Sequence, residues 1–386
     1  MHAHFSIPEF KPHPLLRNGH AQTLAGAYLP GGRHIERAVQ IQVPLADGDA
    51  VVLHDDRPAH WHAGDRVALL LHGLAGCHQS SYMLRAARKL VGRGIRTFRM
   101  DLRGCGAGEG LASRPYHGGR SEDAHAALEL LQRLCLGSPV TLVGFSLSGN
   151  IVLKLLGESP RSVPINVEKA IVVCPALDLG LCAHSLSGRW QRAYERYFVR
   201  SLCRQIKVNR RLRPDVPPLA VKRRLKTLIE FDDLYTGPVC GFGTADNYYT
   251  TSSARPHVVN IRVPTLILIA EDDPLIPISS FDAIALPKSV LLHRTKHGGH
   301  LGYVGRPGID PDLRWMDWRI VDWVMADPAP AAAPASDRST PTLTAESATR
   351  LCPKTGTDPL PEGQTSFPAT TGQGSVPVFG QSPATH

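Results

Sequence analysis

The sequence predicts an α/β fold: a mostly parallel sheet with flanking helices and a helical insertion late in the chain. Three observations carry this expectation. Apolar runs at residues 67–71, 140–143, 170–174 and 265–270 are continuous rather than alternating, as in strands buried on both faces. Segments of helical spacing separate the earlier runs, which makes βαβ units. Several runs end in a sharp turn, where sheets of this class collect functional groups.

Taken in order, residues 1–30 read as an irregular arm packed on the domain. Residues 35–43 alternate apolar and polar side chains, Asp47-Gly48 marks a turn, and residues 50–53 resume the pattern, so an antiparallel hairpin is expected. Residues 67–71 are the first buried strand and 82–90 a helix. Residues 95–100 form the next strand. Residues 121–134 form an amphipathic helix with Glu122 and Asp123 in its first turn, where the helix dipole favours negative charge. The run at 140–143 precedes a helix over 151–156, and 170–174 adds a strand.

From Pro175 the rhythm breaks. Residues 176–257 read as a basic helical cap, with helices expected at 190–198 and 221–230. Strands return at 265–270 and 290–294. The last helix is expected over 311–325, with Leu313, Trp315, Met316, Ile320, Trp323 and Val324 on one buried face. The α/β domain therefore covers 31–326. Residues 327–386 are rich in Ala, Pro, Ser, Thr and Gly and read as a disordered tail.

The 386 residues are 42% hydrophobic and 20% charged, enough to build a sizeable core. The formal net charge is +9, with many of the cations between Arg189 and Lys226. No zinc-finger spacing or RNA-binding aromatic signature accompanies them, so nucleic acid is not expected as a partner. The eight cysteines form no CxxC pair and read as free thiols of a reducing compartment. No secretory signal is apparent, and no run approaches the roughly 18 apolar residues of a membrane span. A cytoplasmic location is expected.

The chemistry centres on Gly144-Phe145-Ser146-Leu147-Ser148-Gly149, where a strand turns abruptly into a helix. Small residues two before and two after Ser146 permit the bend of a nucleophile elbow, which lifts the hydroxyl to a helix N-terminus. A nucleophilic serine needs a base, a carboxylate to orient it, and donors for the oxyanion. Glu271-Asp272-Asp273 supplies three adjacent carboxylates at a strand end. His297-Gly298-Gly299-His300 supplies two histidines, of which His300 is favoured because its glycines allow close approach to Ser146. A zinc site on His297 and His300 lacks a third ligand at known spacing. The backbone N–H groups of Leu147 and of Leu74, in the turn His72-Gly73-Leu74, are the expected oxyanion donors. His72, Gly73 and the turn Asp101-Leu102-Arg103-Gly104 are assigned to structure.

These stretches resemble the YheT-like α/β-hydrolases, the AB-hydrolase-4 family. The resemblance covers residues 14–323. It is carried by Arg17-Asn18-Gly19-His20-Ala21-Gln22-Thr23, His72-Gly73-Leu74-Ala75-Gly76 with Ser80-Ser81-Tyr82, Tyr116-His117-Gly118-Gly119 and Gly144-Phe145-Ser146-Leu147-Ser148-Gly149-Asn150. Phe231-Asp232, Tyr248-Tyr249, Asp272-Asp273-Pro274 and Gly298-Gly299-His300 complete it. Ser148 departs from the family, which usually has glycine there. The resemblance implies an eight-stranded α/β-hydrolase sheet and a Ser146–Asp273–His300 triad. The acid falls on Asp273 because the superfamily places it three residues past the strand's last small residue, here Ala270, and four before a proline, here Pro277. It also implies hydrolysis of carboxylic esters, whether acylglycerols, phospholipids or short-chain esters, with no metal or organic cofactor. A thioester or amide substrate, or a non-catalytic binding role, would use the same fold. The cap is expected to select an acyl chain or headgroup, and peripheral membrane contact is compatible with its charge.

Overall fold

The structure is a computed structural model that describes residues 5–29, 38–221 and 223–327. The chain opens with helix α1 (Gly19–Tyr28) and the antiparallel pair β1 (Val39–Pro44) and β2 (Ala50–Asp56). The doubly wound part follows: β3 (Val67–Leu71), α2 (Ser81–Val91), β4 (Arg96–Asp101), α3 (Ser121–Leu134), β5 (Val140–Phe145), α4 (Leu147–Glu158) and β6 (Val167–Val173). The cap contributes α5 (Leu179–Leu186), α6 (Arg192–Leu212), α7 (Leu228–Phe231), a π-helical turn at Asp232–Thr236, α8 (Gly237–Val239) and α9 (Ala245–Ser252). Then β7 (Thr265–Ala270), β8 (Val290–Thr295) and α10 (Trp315–Met325) complete the domain.

The eight strands form one sheet in the order β1-β2-β4-β3-β5-β6-β7-β8. β2 pairs antiparallel with β1 and β4, and every pairing from β4 to β8 is parallel. All residues of β3, β5 and β7 are buried, which explains their unbroken apolar runs. The chain reverses direction across the sheet between β3–α2–β4 and β5–α4–β6. With right-handed crossovers this puts α2 on one face and α3 and α4 on the other. α2 packs on α10, and α3 packs on α4. The carboxyl ends of β3 and β5 therefore meet at the reversal, where α/β sheets place their sites, with that of β7 two strands beyond β5.

Four expectations need correction. The arm is not wholly irregular: residues 19–28 form α1, capped by Asn18, whose Oδ1 accepts from Ala21 N at 2.8 Å. Its buried face consists of Gly19, Gln22, Thr23, Ala25 and Gly26, so it carries no hydrophobic stripe for periodicity to detect. The cap helix expected at 190–198 is α6, which starts at Arg192, leaving Trp190 outside, and runs on to Leu212. The helix expected over 221–230 shrinks to α7. Thr227 and Glu230 form a capping box, with Thr227 in extended conformation, so the chain enters the helix only there. The last helix begins at Trp315 rather than 311, because Arg314 bridges to Val304. Residues 35–37 of the expected hairpin and residues 328–386 of the expected tail lie outside the described residues. Among the described residues, no helix is long and apolar enough to cross a membrane.

Candidate active site

Ser146 stands between the end of β5 and the first residue of α4, with φ 52° and ψ −116°. A non-glycine residue with positive φ is strained unless its surroundings over-determine it. Here they do: Ser146 N donates to Val173 O at 2.9 Å, and Ser146 O accepts from Gly149 N at 2.9 Å and Ala176 N at 3.2 Å. A Cβ on Gly144 would come within 2.7 Å of Ser148 O, and one on Gly149 within 2.7 Å of Pro175 Cβ. The turn tolerates nothing larger at either position. Ser148, fully buried, donates its hydroxyl to the His72 carbonyl. The departure from glycine thus ties the serine turn to the loop after β3. Asn150 donates to Gly118 O and Ser252 O and accepts from Ala254 N, which joins α4 to the base of the cap.

Ser146 Oγ lies 2.9 Å from His300 Nε2, and His300 Nδ1 lies 2.9 Å from Asp273 Oδ2. The Asp273 side chain is only 2% exposed, and its other oxygen accepts from Leu275 N and Ile276 N at 2.8 and 3.0 Å. That leaves Oδ2 directed at the imidazole. Asp272 turns elsewhere. It accepts from Gly299 N at 2.8 Å and faces His297 Nδ1 at 3.3 Å, so it braces the histidine loop from outside. Glu271 is exposed. His297 and His300 thus face separate carboxylates.

Helix α1 supplies what the sequence reasoning missed. Thr23 Oγ1 accepts from His300 N at 2.8 Å and donates to Gly19 O at 2.7 Å. Gln22 accepts from Val304 N and donates to Val304 O and Leu16 O. The approach is backbone to backbone. A Cβ on Gly19 would overlap the Asp272 carbonyl oxygen, and one on Gly302 would overlap Gln22 O. The Asn-Gly-His-x-Gln-Thr motif was visible as a motif, but its task was not.

The expected oxyanion donors sit as follows. Leu147 N opens α4, where an N–H has no intrahelical acceptor. Leu74 lies between Gly73, whose N–H donates to Tyr82 Oη at 2.9 Å, and Ala75, whose N–H donates to Tyr116 Oη at 2.8 Å. Among the described residues neither Leu74 N nor Leu147 N meets an acceptor. Burial pushes the Tyr82 phenol up to about 12, so it stays a neutral partner. His72 is fully buried, and burial lowers its pKa. It holds the loop by donating from Nδ1 to Gly73 O and accepting at Nε2 from Leu102 N.

A cavity of about 1050 Å³, part of it open to solvent, extends from Ser146, Leu74 and Leu147 beneath the cap. Leu179, Phe198, Leu202, Ile206 and Phe231 make its cap side apolar. Polar groups interrupt that lining, Asp232 and His117 among them. Burial raises the Asp232 carboxyl to about 6, against the pull of hydrogen bonds from Thr236 and Tyr249. Burial also holds His117 well below the ordinary imidazole value. Its Nδ1 accepts from Gly119 N, so the neutral ring carries its proton on Nε2.

One further cluster has the residue types of a metal site. Asp101 Oδ2 meets His54 Nε2 at 2.8 Å and His78 Nδ1 at 2.6 Å. The two rings stack at 3.5 Å, 13° from parallel, and both nitrogens are engaged by the same carboxylate oxygen. Burial would raise the Asp101 carboxyl, but hydrogen bonds from both histidines outweigh it and hold the group well below the usual range. With His78 N and Ala107 N also donating, this is a satisfied buried anion, consistent with the structural role expected for that turn.

A positive-φ serine on a strand-to-helix turn of an eight-stranded, mostly parallel sheet defines an α/β hydrolase. The chain belongs to that family, in its YheT-like branch. The family model for the alpha/beta hydrolase fold matches residues 67–307. YheT of Escherichia coli (strain K12) is 33% identical over 83% of this chain and 94% of its own. Phospholipase ABHD3 of Homo sapiens is 26% identical over 80% of this chain and 76% of its own. Among solved structures, 2,6-dihydroxy-pseudo-oxynicotine hydrolase aligns with a TM-score of 0.51 at 18% identity, over 80% of this chain and 74% of that one, a likeness of fold alone.

Proposed function

We propose that this hydrolase cleaves carboxylic esters through an acyl-enzyme on Ser146. The observation that carries the reading is the continuous path Ser146 Oγ–His300 Nε2, His300 Nδ1–Asp273 Oδ2, with 2.9 Å at each step. His300 Nε2 accepts the Ser146 proton as Oγ attacks the ester carbonyl. Asp273, anchored by two backbone amides, fixes the proton on Nδ1 and stabilises the imidazolium. The N–H groups of Leu74 and Leu147 receive the oxyanion. His300 then protonates the departing alcohol. In the second half a water gives its proton to Nε2 and its oxygen to the acyl carbon, releasing the acid and restoring Ser146.

The apolar cavity lining supports an acyl chain as the part of the substrate held under the cap. Relatives named as a monoacylglycerol lipase in Saccharomyces cerevisiae and as phospholipase ABHD3 support an ester of a lipid. The test is labelling by a fluorophosphonate probe, followed by turnover of p-nitrophenyl esters of increasing chain length. Labelling at Ser146 with turnover is expected. A folded protein whose Ser146 stays unlabelled would end the proposal. Labelling with turnover of thioesters or amides but not esters would move it to another substrate class.

A further inference from the structure

The two sides of α6 differ. The inner side presents Phe198, Leu202, Gln205, Ile206 and Asn209 to the cavity. The outer side carries Arg192, Arg196, Arg200, Arg204, Lys207 and Arg211, all exposed. At about 100° per residue these six fall within one arc of roughly a third of the helix circumference, and they run over about 28 Å of its length. Among the described residues none of the six meets a carboxylate within ion-pair distance. The single acid of α6, Glu195, is buried on the opposite side and accepts from Ser187 Oγ and Leu228 N. Unlike a surface of mixed charge laced by pairs, this row leaves its cations uncompensated.

Large aromatic side chains border the row. Trp190, just before α6, is 75% exposed, and Tyr197 is 56% exposed beside Arg196 and Arg200. Tryptophan and tyrosine gain at the boundary between polar headgroups and acyl chains, whereas solvent gives their rings nothing. Exposed cations along one helix face, with an exposed tyrosine beside them and an exposed tryptophan just before the helix, match an anionic lipid surface better than a nucleic acid. The latter would call for base-stacking platforms in a groove.

We propose that the outer face of α6, with Trp190 and Tyr197, docks this protein on anionic phospholipid bilayers. α6 then lies in the headgroup layer, and the cavity lies directly beneath the docked helix. Attraction comes from charge, at roughly 1 kcal/mol per cation near an anionic surface. The aromatic rings add apolar burial at headgroup depth. The proposal does not depend on the ester reading, since it is measured as binding.

The experiment is co-sedimentation of the full chain with phosphatidylcholine vesicles, with and without phosphatidylglycerol, at ~0.1 M and ~1 M salt. Binding to the phosphatidylglycerol vesicles alone, weakened by salt, is expected. Together, Arg196→Gln, Arg200→Gln and Arg204→Gln should lower that binding on the order of 100-fold. Their circular dichroism and fluorophosphonate labelling should match the parent, since none of the three lines the cavity. Trp190→Ala should weaken binding at unchanged charge. Binding that ignores lipid charge, or that survives both sets of substitutions, overturns the proposal. So does a chain that ignores vesicles but binds a single-stranded oligonucleotide through the same arginines.

Discussion

The two turns that bring the candidate chemistry together are held in opposite ways. The serine turn is held by its own neighbourhood: Gly144 and Gly149 on either side, the adjacent strand β6 through Val173, and Ala176 just beyond it. The histidine loop is held from far away in the chain. Thr23 reaches His300 N across 277 residues, and Gly19, Gln22 and Gly26 lie close against the backbone of residues 272, 299, 301 and 302. One half of the site is thus held within β5, α4 and the adjoining strand β6. The other depends on a helix that belongs to neither the sheet nor the cap. Damage to the N-terminal helix should therefore register as lost chemistry as well as lost stability.

The largest effect belongs to the serine turn. Ser146→Ala should lower turnover of p-nitrophenyl esters by at least about a thousandfold, while stability stays within about 0.5 kcal/mol of the parent. A residual rate within tenfold of the parent would take Ser146 out of the chemistry. Next comes Gly19→Ala, which drives a methyl group into the Asp272 carbonyl and forces α1 off the histidine loop. We expect kcat to fall by about 10- to 100-fold and unfolding free energy by roughly 1–3 kcal/mol. Stability lost without any change in kcat would reduce α1 to a structural strap.

Thr23→Val isolates the hydrogen bond from the packing. It leaves His300 N without its acceptor, so kcat should fall by about tenfold at constant KM, with Thr23→Ser restoring it. If Thr23→Ser does not restore kcat, methyl packing rather than the hydroxyl is what matters. The smallest effect should follow Ser148→Ala, which removes a buried donor to His72 O. A loss of about 1 kcal/mol in stability is expected, with turnover within about threefold. A much larger loss of activity would mean that this bond sets the position of Leu74 N.

The elements that were legible in advance are those whose burial is written in apolar side chains. β3, β5 and β7 are buried along their whole length, and the expected boundaries at 67–71 and 265–270 coincide with the strands. The helix at 121–134 matches as well, because Glu122 and Asp123 mark its start. The failures share a cause. α1 buries glycines, Gln22 and Thr23, which no hydrophobic pattern reports. α7 begins where a capping box closes, a side-chain event within a run of otherwise acceptable helix formers. At the site, Ser146 was marked by its own neighbours. The choice among Glu271, Asp272 and Asp273 rested on family resemblance, because adjacent carboxylates on one turn are chemically alike until their directions are known.

By itself, then, the sequence determined the sheet, the serine turn and the order in which serine, acid and histidine occur along the chain. Apolar runs and small residues express those features within a few positions of one another. Only the tertiary structure decided which carboxylate faces the imidazole, what Ser148 does with its hydroxyl, and why an N-terminal helix of small and polar residues is needed. Each of those depends on the direction of a hydrogen bond or the closeness of two backbones far apart in the chain. No local pattern of residue types encodes either.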